Sequence, residues 1–187
     1  EPRLDPGITR AFEVPDAAID PWKLVSTNAR SAAEHGARIL PYHRVDGLEV
    51  RGDKVVGARV VNEQTGDDVR IRSRIVVNAA GAWAGQIAEL AGCSVTVLPG
   101  KGIMIAMNHR LVNTVVNRCK PPSDGDIIVP IRTVSVIGTT DVRVADPDEL
   151  EVTDGEVEEM LDEGEKLIPG FRQARALRVW AGARPLF

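Results

Sequence analysis

The chain reads as a mixed α/β and α+β protein. Helix and strand alternate in its first half, and an antiparallel sheet with one covering helix fills its second. Three stretches predict this. Asp20-Pro21 opens a helical pattern that leads directly into the apolar Ala37-Arg-Ile-Leu, half of a βαβ arrangement. Val- and Ile-rich runs between residues 45 and 77 are separated by Arg51-Gly-Asp-Lys and Gln64-Thr-Gly-Asp, turn chemistry that joins strands into a meander. Past Gly92, short apolar runs surround one long helical pattern from Thr153 to Leu167, which suits an α+β layer.

Taken in order, Phe12 to Ile19 predicts a strand broken at Pro15. Asp20 is placed to cap a helix with proline at its first position. Leu24, Val25, Asn28, Ala32 and Ala33 carry that helix to Gly36, a suitable stop. A strand over Ala37–Leu40 follows, then meander strands over Val45–Val50, Val55–Asn62 and Val69–Val77. The last of these runs into Asn78-Ala-Ala-Gly81 and a helix from Trp83 to Gly92. Ile75, Val76 and Val77 predict a strand end buried on both faces. Small residues at a strand's carboxyl end let a ligand approach the backbone, and a helix N-terminus there suits an anion. Tight packing of helix on strand would require the same small residues, so the spacing leaves both readings open.

Beyond Gly92, residues Val95 to Met107 read as extended, interrupted at Pro99-Gly-Lys-Gly102. Val112–Val116, Ile127–Pro130, Val134–Gly138 and Leu177–Ala181 are further strands, with a loop over Pro121–Asp126. Thr153 and Glu156 form a capping box, and the acidic first turn complements the helix dipole. Pro169-Gly170 ends that helix.

The totals exclude several classes. Of 187 residues, 43% are hydrophobic and 27% charged, with a net charge of −4, so no basic field favours nucleic acid. No apolar run approaches the roughly 20 residues of a membrane helix. Cys93 and Cys119 lack metal-ligand spacing and read as buried free thiols of a reducing compartment, with a disulfide as the alternative. His35, His43 and His109 are scattered. The first ten residues hold no clear element, and the chain stops on Ala181-Gly-Ala-Arg-Pro-Leu-Phe without a cap or polar tail. Both ends predict a piece cut from a longer protein.

Asp20-Pro21 before a helix, Gly36-Ala-Arg-Ile, the meander and Val76-Val-Asn-Ala-Ala-Gly-Ala-Trp83 together resemble the flavin-dependent oxidoreductases of the D-amino-acid-oxidase type. Within that group, several segments resemble FAD-dependent glycerol-3-phosphate dehydrogenases. They are Lys101-Gly102, Asn117 to Asp126, Ile137-Gly-Thr-Thr-Asp141, Glu163-Gly-Glu-Lys-Leu and Gly182-Ala-Arg-Pro-Leu186. The Asn117–Asp126 block is similar to the catalytic A subunit of the anaerobic enzyme. One departure stands out: the family's opening G-x-G-x-x-G, which seats the FAD pyrophosphate, occurs nowhere in this sequence.

The resemblance implies a partial FAD-binding domain with its β-meander over 13–93. It further implies an antiparallel substrate-binding cap domain with a covering helix over 94–180, and the start of a return into the flavin domain over 181–187. It implies hydride transfer from sn-glycerol 3-phosphate to flavin, giving dihydroxyacetone phosphate, with electrons passed to quinone. A fragment of this extent is expected to bind FAD poorly and to be inactive alone. The implied companions are a flavoprotein and an iron–sulfur membrane anchor, placing the protein in the cytoplasm, peripheral on the inner face of the cell membrane.

By the same resemblance Arg184 is the catalytic residue, lying over the flavin and contacting substrate oxygen or phosphate; a guanidinium matches phosphate bidentately. The alternative reading is a surface arginine near a strand end. Lys101 and Thr140 are implied at the substrate, though Lys101 also reads as an exposed turn lysine, and Thr139, Thr140 and Asp141 as residues that bond their own turn. Val45 is implied at the adenine end, with Ala79, Ala80, Gly81 and Trp83 along the dinucleotide; Trp83 also reads as plain core. Arg118 and Lys120 read as surface ion pairs or partner contacts. An amine- or amino-acid-oxidising enzyme of the same group would need an arginine for a carboxylate but not the Gly-Thr-Thr-Asp and Ala-Arg-Pro-Leu pair. A non-catalytic ligand-binding module is the third reading.

Overall fold

The computed structural model describes residues 1–119 and 126–186. Lys120, and the predicted loop up to residue 125, lie outside the described residues. The chain divides into two compact units, one of residues 19–97 and one of residues 1–18 with 98–186. The sequence placed 13–18 with the first unit and ended the second sheet near 181.

In the first unit, α1 spans Pro21–Glu34. Asp20 caps it, its carboxylate accepting the Lys23 N–H at 3.0 Å, and Pro21 fills the first turn, where no N–H is needed. The meander follows as β1 (His43–Arg51), β2 (Lys54–Asn62) and β3 (Asp68–Arg72), antiparallel in the order β1-β2-β3. A 3₁₀ turn over Gly81–Trp83 leads into α2, Ala84–Glu89, so the helix expected from Trp83 to Gly92 is shorter and opens tighter than its spacing suggests.

Two expected strands are absent from this part of the chain and a third is cut short. Phe12–Ile19 forms none: Pro15 withholds a ladder donor, and Phe12 and Val14 are exposed. Ala37–Leu40 is likewise unpaired. The third meander strand stops at Arg72, and Ile75 and Val77, expected to be buried on both faces, are 77% and 80% exposed. A buried strand needs neighbours on both edges and cover on both faces. Among the described residues no strand pairs with 75–77 or 37–40.

In the second unit, β4 (Leu98–Met107), β5 (Ile127–Ile131), β6 (Val134–Gly138), β7 (Val142–Arg143) and β8 (Ala176–Leu186) form one antiparallel sheet, with α3 at Asp154–Leu167. β4 is its centre. β8 runs along one edge of it, from Leu98 opposite Leu186 to Met107 opposite Ala176. β6 and then β7 share the other edge, through Met104 to Met107 and through Gly100 and Lys101. Pro99–Gly102, expected to interrupt this strand, lies inside it. Glycine tolerates the close approach of neighbouring segments there, so the break signal marks packing rather than a turn. Val112–Val116 makes only a bridge from Val116 to Ile128. The Asn113 and Thr114 N–H groups donate to the Glu1 carboxylate instead of a ladder.

Side-chain alternation along β4 sorts the sheet's two faces. Ile103, Ile105 and Met107 point into a core with Ile128, Ile137, Met160, Leu167, Ile168 and Phe171. α3 covers this face, packing on β4 and β6. Its capping box is complete: the Thr153 hydroxyl accepts the Glu156 N–H, and the Glu156 carboxylate accepts the Thr153 N–H. Gly102, Met104, Gly138, Trp180, Gly182 and Arg184 lie at the alternate positions.

Candidate active site

On the face turned away from α3, the sheet forms an open hollow of about 350 Å³. Gly102 and Gly182 are cross-strand partners and leave its floor as bare backbone. Met104, Ile127, Val129 and Val136 supply apolar walls, and Thr139 and Arg184 the polar groups. Among the described residues, Arg184 is the one charged side chain lining it. Small floors, apolar walls and few polar groups are what small-molecule sites have in common.

Arg184 is held in place by its neighbours. Its Nη2 donates to the Thr140 carbonyl at 3.0 Å and to Asp141 Oδ1 at 2.9 Å. Both acceptors belong to the turn after β6. That turn fills the gap on β4 between the stretches paired with β6 and β7. The Thr140 hydroxyl accepts the Ile103 N–H at 3.1 Å, standing in for the missing ladder partner. Gly102 lies beneath. A Cβ there would sit 2.7 Å from the Thr140 carbonyl oxygen and press on the Thr139 hydroxyl, so only glycine lets the turn close on the strand.

Lys101 has a different setting from the one expected. It neither turns nor faces the hollow. Its side chain follows the Ile103 face and is only 8% exposed, with Nζ donating to Glu156 Oε2 at 2.9 Å and to the Glu151 carbonyl at 2.6 Å. Strand alternation sends residue 101 to the α3 side and residue 184 to the hollow, so the two cations do not meet. Thr140 also directs its hydroxyl to the α3 side, 3.4 Å from Glu156 Oε1, while its carbonyl holds Arg184. Burial alone would push the Glu156 carboxyl up. Hydrogen bonds from the Thr153 N–H, Lys101 and the Thr153 hydroxyl outweigh it and hold the group below the ordinary glutamate value.

In the first unit Val45 is half-buried on β1 opposite Val60, next to a bulge. Ala79 and Gly81 are exposed, and Ala80 half-buried. Trp83 is 37% exposed, which removes the plain-core reading. Sequence reasoning passed over Asn78, which builds this turn. Its Oδ1 accepts the Ala80 N–H at 3.2 Å, and its Nδ2 donates to the Ala84 carbonyl at 2.8 Å. The signal was available, because asparagine at a strand end bonds its own following turn. Gly81 has φ +57°, and no atom lies within 4 Å of where its Cβ would be.

Two other charged groups of side chains do not form a site of this kind. Arg51, Arg59, Arg70 and Arg72 line a wide trough of about 470 Å³ on the meander, with Arg59 tied to Asp46 at 2.9 Å and Arg70 to Glu49 at 3.9 Å. Arg118 is neither a surface pair nor a free contact. It bridges the buried Asp126 and Glu163, joining the start of β5 to α3. Among the described residues no cluster of His, Cys, Asp and Glu could hold a metal ion. Both cysteines are free, but exposed rather than buried as expected.

The family model for FAD dependent oxidoreductase (DAO) matches residues 1–187. The chain belongs to this family. It is 45% identical over its whole length to the A1 subunit of anaerobic glycerol-3-phosphate dehydrogenase from Haloferax volcanii, covering 33% of that protein. It is also 45% identical to the A subunit of anaerobic glycerol-3-phosphate dehydrogenase from Escherichia coli, covering 35% of it. The chain thus spans about a third of the length of the curated relatives it matches. Among solved structures, glycerol-3-phosphate dehydrogenase from Bacillus halodurans complexed with FAD aligns with a TM-score of 0.72 at 27% identity, over 84% of this chain and 33% of that one.

The residues present fit the cofactor of this family in two places. A bare glycine floor between apolar walls suits a flat ring system laid against the sheet of the second unit. The bulk-free Asn78–Gly81 turn offers backbone for close approach. The G-x-G-x-x-G seat for a pyrophosphate is not among this chain's residues. Among the described residues no helix is long and apolar enough to cross a membrane.

Proposed function

We propose that this chain carries the substrate-facing sheet of an FAD-dependent sn-glycerol-3-phosphate dehydrogenase, oxidising the C2 hydroxyl to the ketone of dihydroxyacetone phosphate. The observation that carries the reading is a single restrained guanidinium at the edge of an apolar, glycine-floored hollow. The 45% identity to the two anaerobic dehydrogenase proteins supports the choice of substrate. FAD, when bound, would supply the two-electron acceptor for the C2 hydride, and the C2 hydroxyl proton would be lost to solvent as the ketone forms.

This chain's residues do the rest by binding and orientation. Arg184 is the catalytic residue: it pairs with a substrate oxygen or the phosphate, while Thr140 and Asp141 hold its Nη2 edge. A fixed cation in an apolar setting costs little reorganisation when charge develops. The walls of Met104, Ile127, Val129 and Val136 exclude water from the reacting carbon. Ala79, Ala80 and Gly81 give backbone contacts to the dinucleotide, with Trp83 beside them and Val45 toward the adenine. Residues 13–93 and 94–180 thereby act as parts of a flavin-binding domain and a substrate-binding cap, with 181–187 leading back to the former. Thr140 contributes to substrate binding only through its carbonyl's hold on Arg184, and Lys101, on the opposite face of the sheet, makes no contact with the hollow. The relatives are themselves named as subunits, which supports a complex of several chains. Within it we place a companion flavoprotein and an iron–sulfur anchor at the inner face of the membrane, passing electrons to quinone.

The test is dye reduction by a full-length protein carrying this segment. sn-Glycerol 3-phosphate should reduce an artificial dye, and glycine, proline and other amino acids should not. Turnover of an amino acid with none of the phosphorylated alcohol would overturn the assignment.

A further inference from the structure

Three buried polar residues on the α3 side of the sheet have no direct role in the chemistry just described. Lys101, Thr140 and Glu156 are each less than a tenth exposed. A capping box needs only Thr153 and Glu156. Here Glu156 Oε2 also takes Lys101 Nζ at 2.9 Å, and Oε1 lies 3.4 Å from the Thr140 hydroxyl. Lys101 is further fixed by the Glu151 carbonyl at 2.6 Å. A buried ion pair is weak support for stability, since apolar residues of similar volume do as well.

Thr140 spans the sheet. Its hydroxyl meets Glu156 and the Ile103 N–H on the helix side. Its carbonyl, with the neighbouring Asp141 carboxylate, holds Arg184 Nη2 on the hollow side. Gly102 admits this turn and no side chain between turn and strand. The position of one peptide, that of Thr140, is therefore set by the helix terminus and in turn sets the guanidinium.

We propose that Lys101, Glu156 and Thr140 are positioning residues that fix the Arg184 guanidinium from the opposite face of the sheet. The inference rests on Arg184 being the substrate-binding cation of the function above. A misplacement of about 1 Å at such a group costs on the order of a hundredfold in rate.

The experiment uses a full-length flavin-loaded protein carrying this segment. Thr140→Val should raise KM for sn-glycerol 3-phosphate and the inhibition constant of dihydroxyacetone phosphate by about tenfold or more, with a smaller change in kcat. Thr140→Ser should restore both. The double variant Lys101→Met with Glu156→Gln keeps the volume and removes both charges; it should show the same rise, and it stands in if Thr140→Val does not fold. Combined with Arg184→Lys, either change should add little, because residues acting through one group are not additive. Unchanged constants in Thr140→Val and in the double variant would overturn the inference while leaving Arg184 in place. Full additivity with Arg184→Lys would also overturn it. An Arg184→Ala variant with near-normal kinetics would instead remove the reading on which it rests.

Discussion

Replacing Lys101 by methionine tests the strand assignment and the burial of the pair together. Both side chains of the Lys101–Glu156 pair are 8% exposed. Methionine keeps the stem's packing and removes the ammonium, leaving Glu156 Oε2 with the Thr153 donors alone. Removing one partner of a buried pair costs about 3–5 kcal/mol, because the other charge stays buried. With a urea slope near 2 kcal/mol/M, the midpoint for the second unit should fall by roughly 1.5–2.5 M. Adding Glu156→Gln should recover most of it. The pH dependence has a definite sign. The folded Glu156 carboxyl lies below its ordinary value of 4.5, so its contribution is present above that value and is lost as pH falls through the folded one. The gap between parent and Lys101→Met should therefore narrow in acid. Urea titrations monitored by circular dichroism at pH 7 and pH 3.5 read both quantities. A midpoint change near zero, equal at the two pH values, would place Lys101 in solvent and refute the reasoning.

Three further substitutions probe the same unit. Gly102→Ala places a Cβ 2.7 Å from the Thr140 carbonyl oxygen and 3.4 Å from Arg184 Nη2; overpacking of that kind costs about 1–3 kcal/mol, read as a fall in urea midpoint, and an unchanged midpoint would mean the turn does not close on β4. Thr153→Ala removes the α3 cap and should cost about 1 kcal/mol, measured by the same titration. Glu165 is held below its usual value by the Arg172 N–H and then the Gly170 N–H; Glu165→Gln should cost about 1 kcal/mol at pH 7, and the difference should shrink as pH falls through the lowered carboxyl value.

Local chemistry made much of the fold legible. Asp20-Pro21, Gly36, the meander turns and the Thr153/Glu156 box specify their structures within a few residues, and the pattern predicted them. Ile75–Val77 and Ala37–Leu40 carry a buried-strand pattern, but pattern reports what a segment could pair with, not whether a partner is present. β7 has two residues, and β8 runs to Leu186 through Gly182 and Pro185, where punctuation residues argue against a strand. At the site, the Gly-Thr-Thr-Asp and Ala-Arg-Pro-Leu segments stand out in sequence only as separate family markers; it is the fold that joins them, with Thr140 and Asp141 holding Arg184. Lys101 was misjudged because Pro99-Gly-Lys-Gly102 reads as a turn. Once it lies in β4, alternation sends its side chain to α3. Glu156 drew attention as a cap, and nothing in its local sequence links it to a threonine sixteen residues earlier.

The most direct measurement is kcat/KM for sn-glycerol 3-phosphate in a full-length protein with Arg184→Ala, with flavin content read from its absorbance. We expect a loss of about 10²–10³-fold or more, on the scale of removing a fixed electrostatic group, with flavin still bound. A change of only twofold would take Arg184 out of the mechanism and the hollow with it.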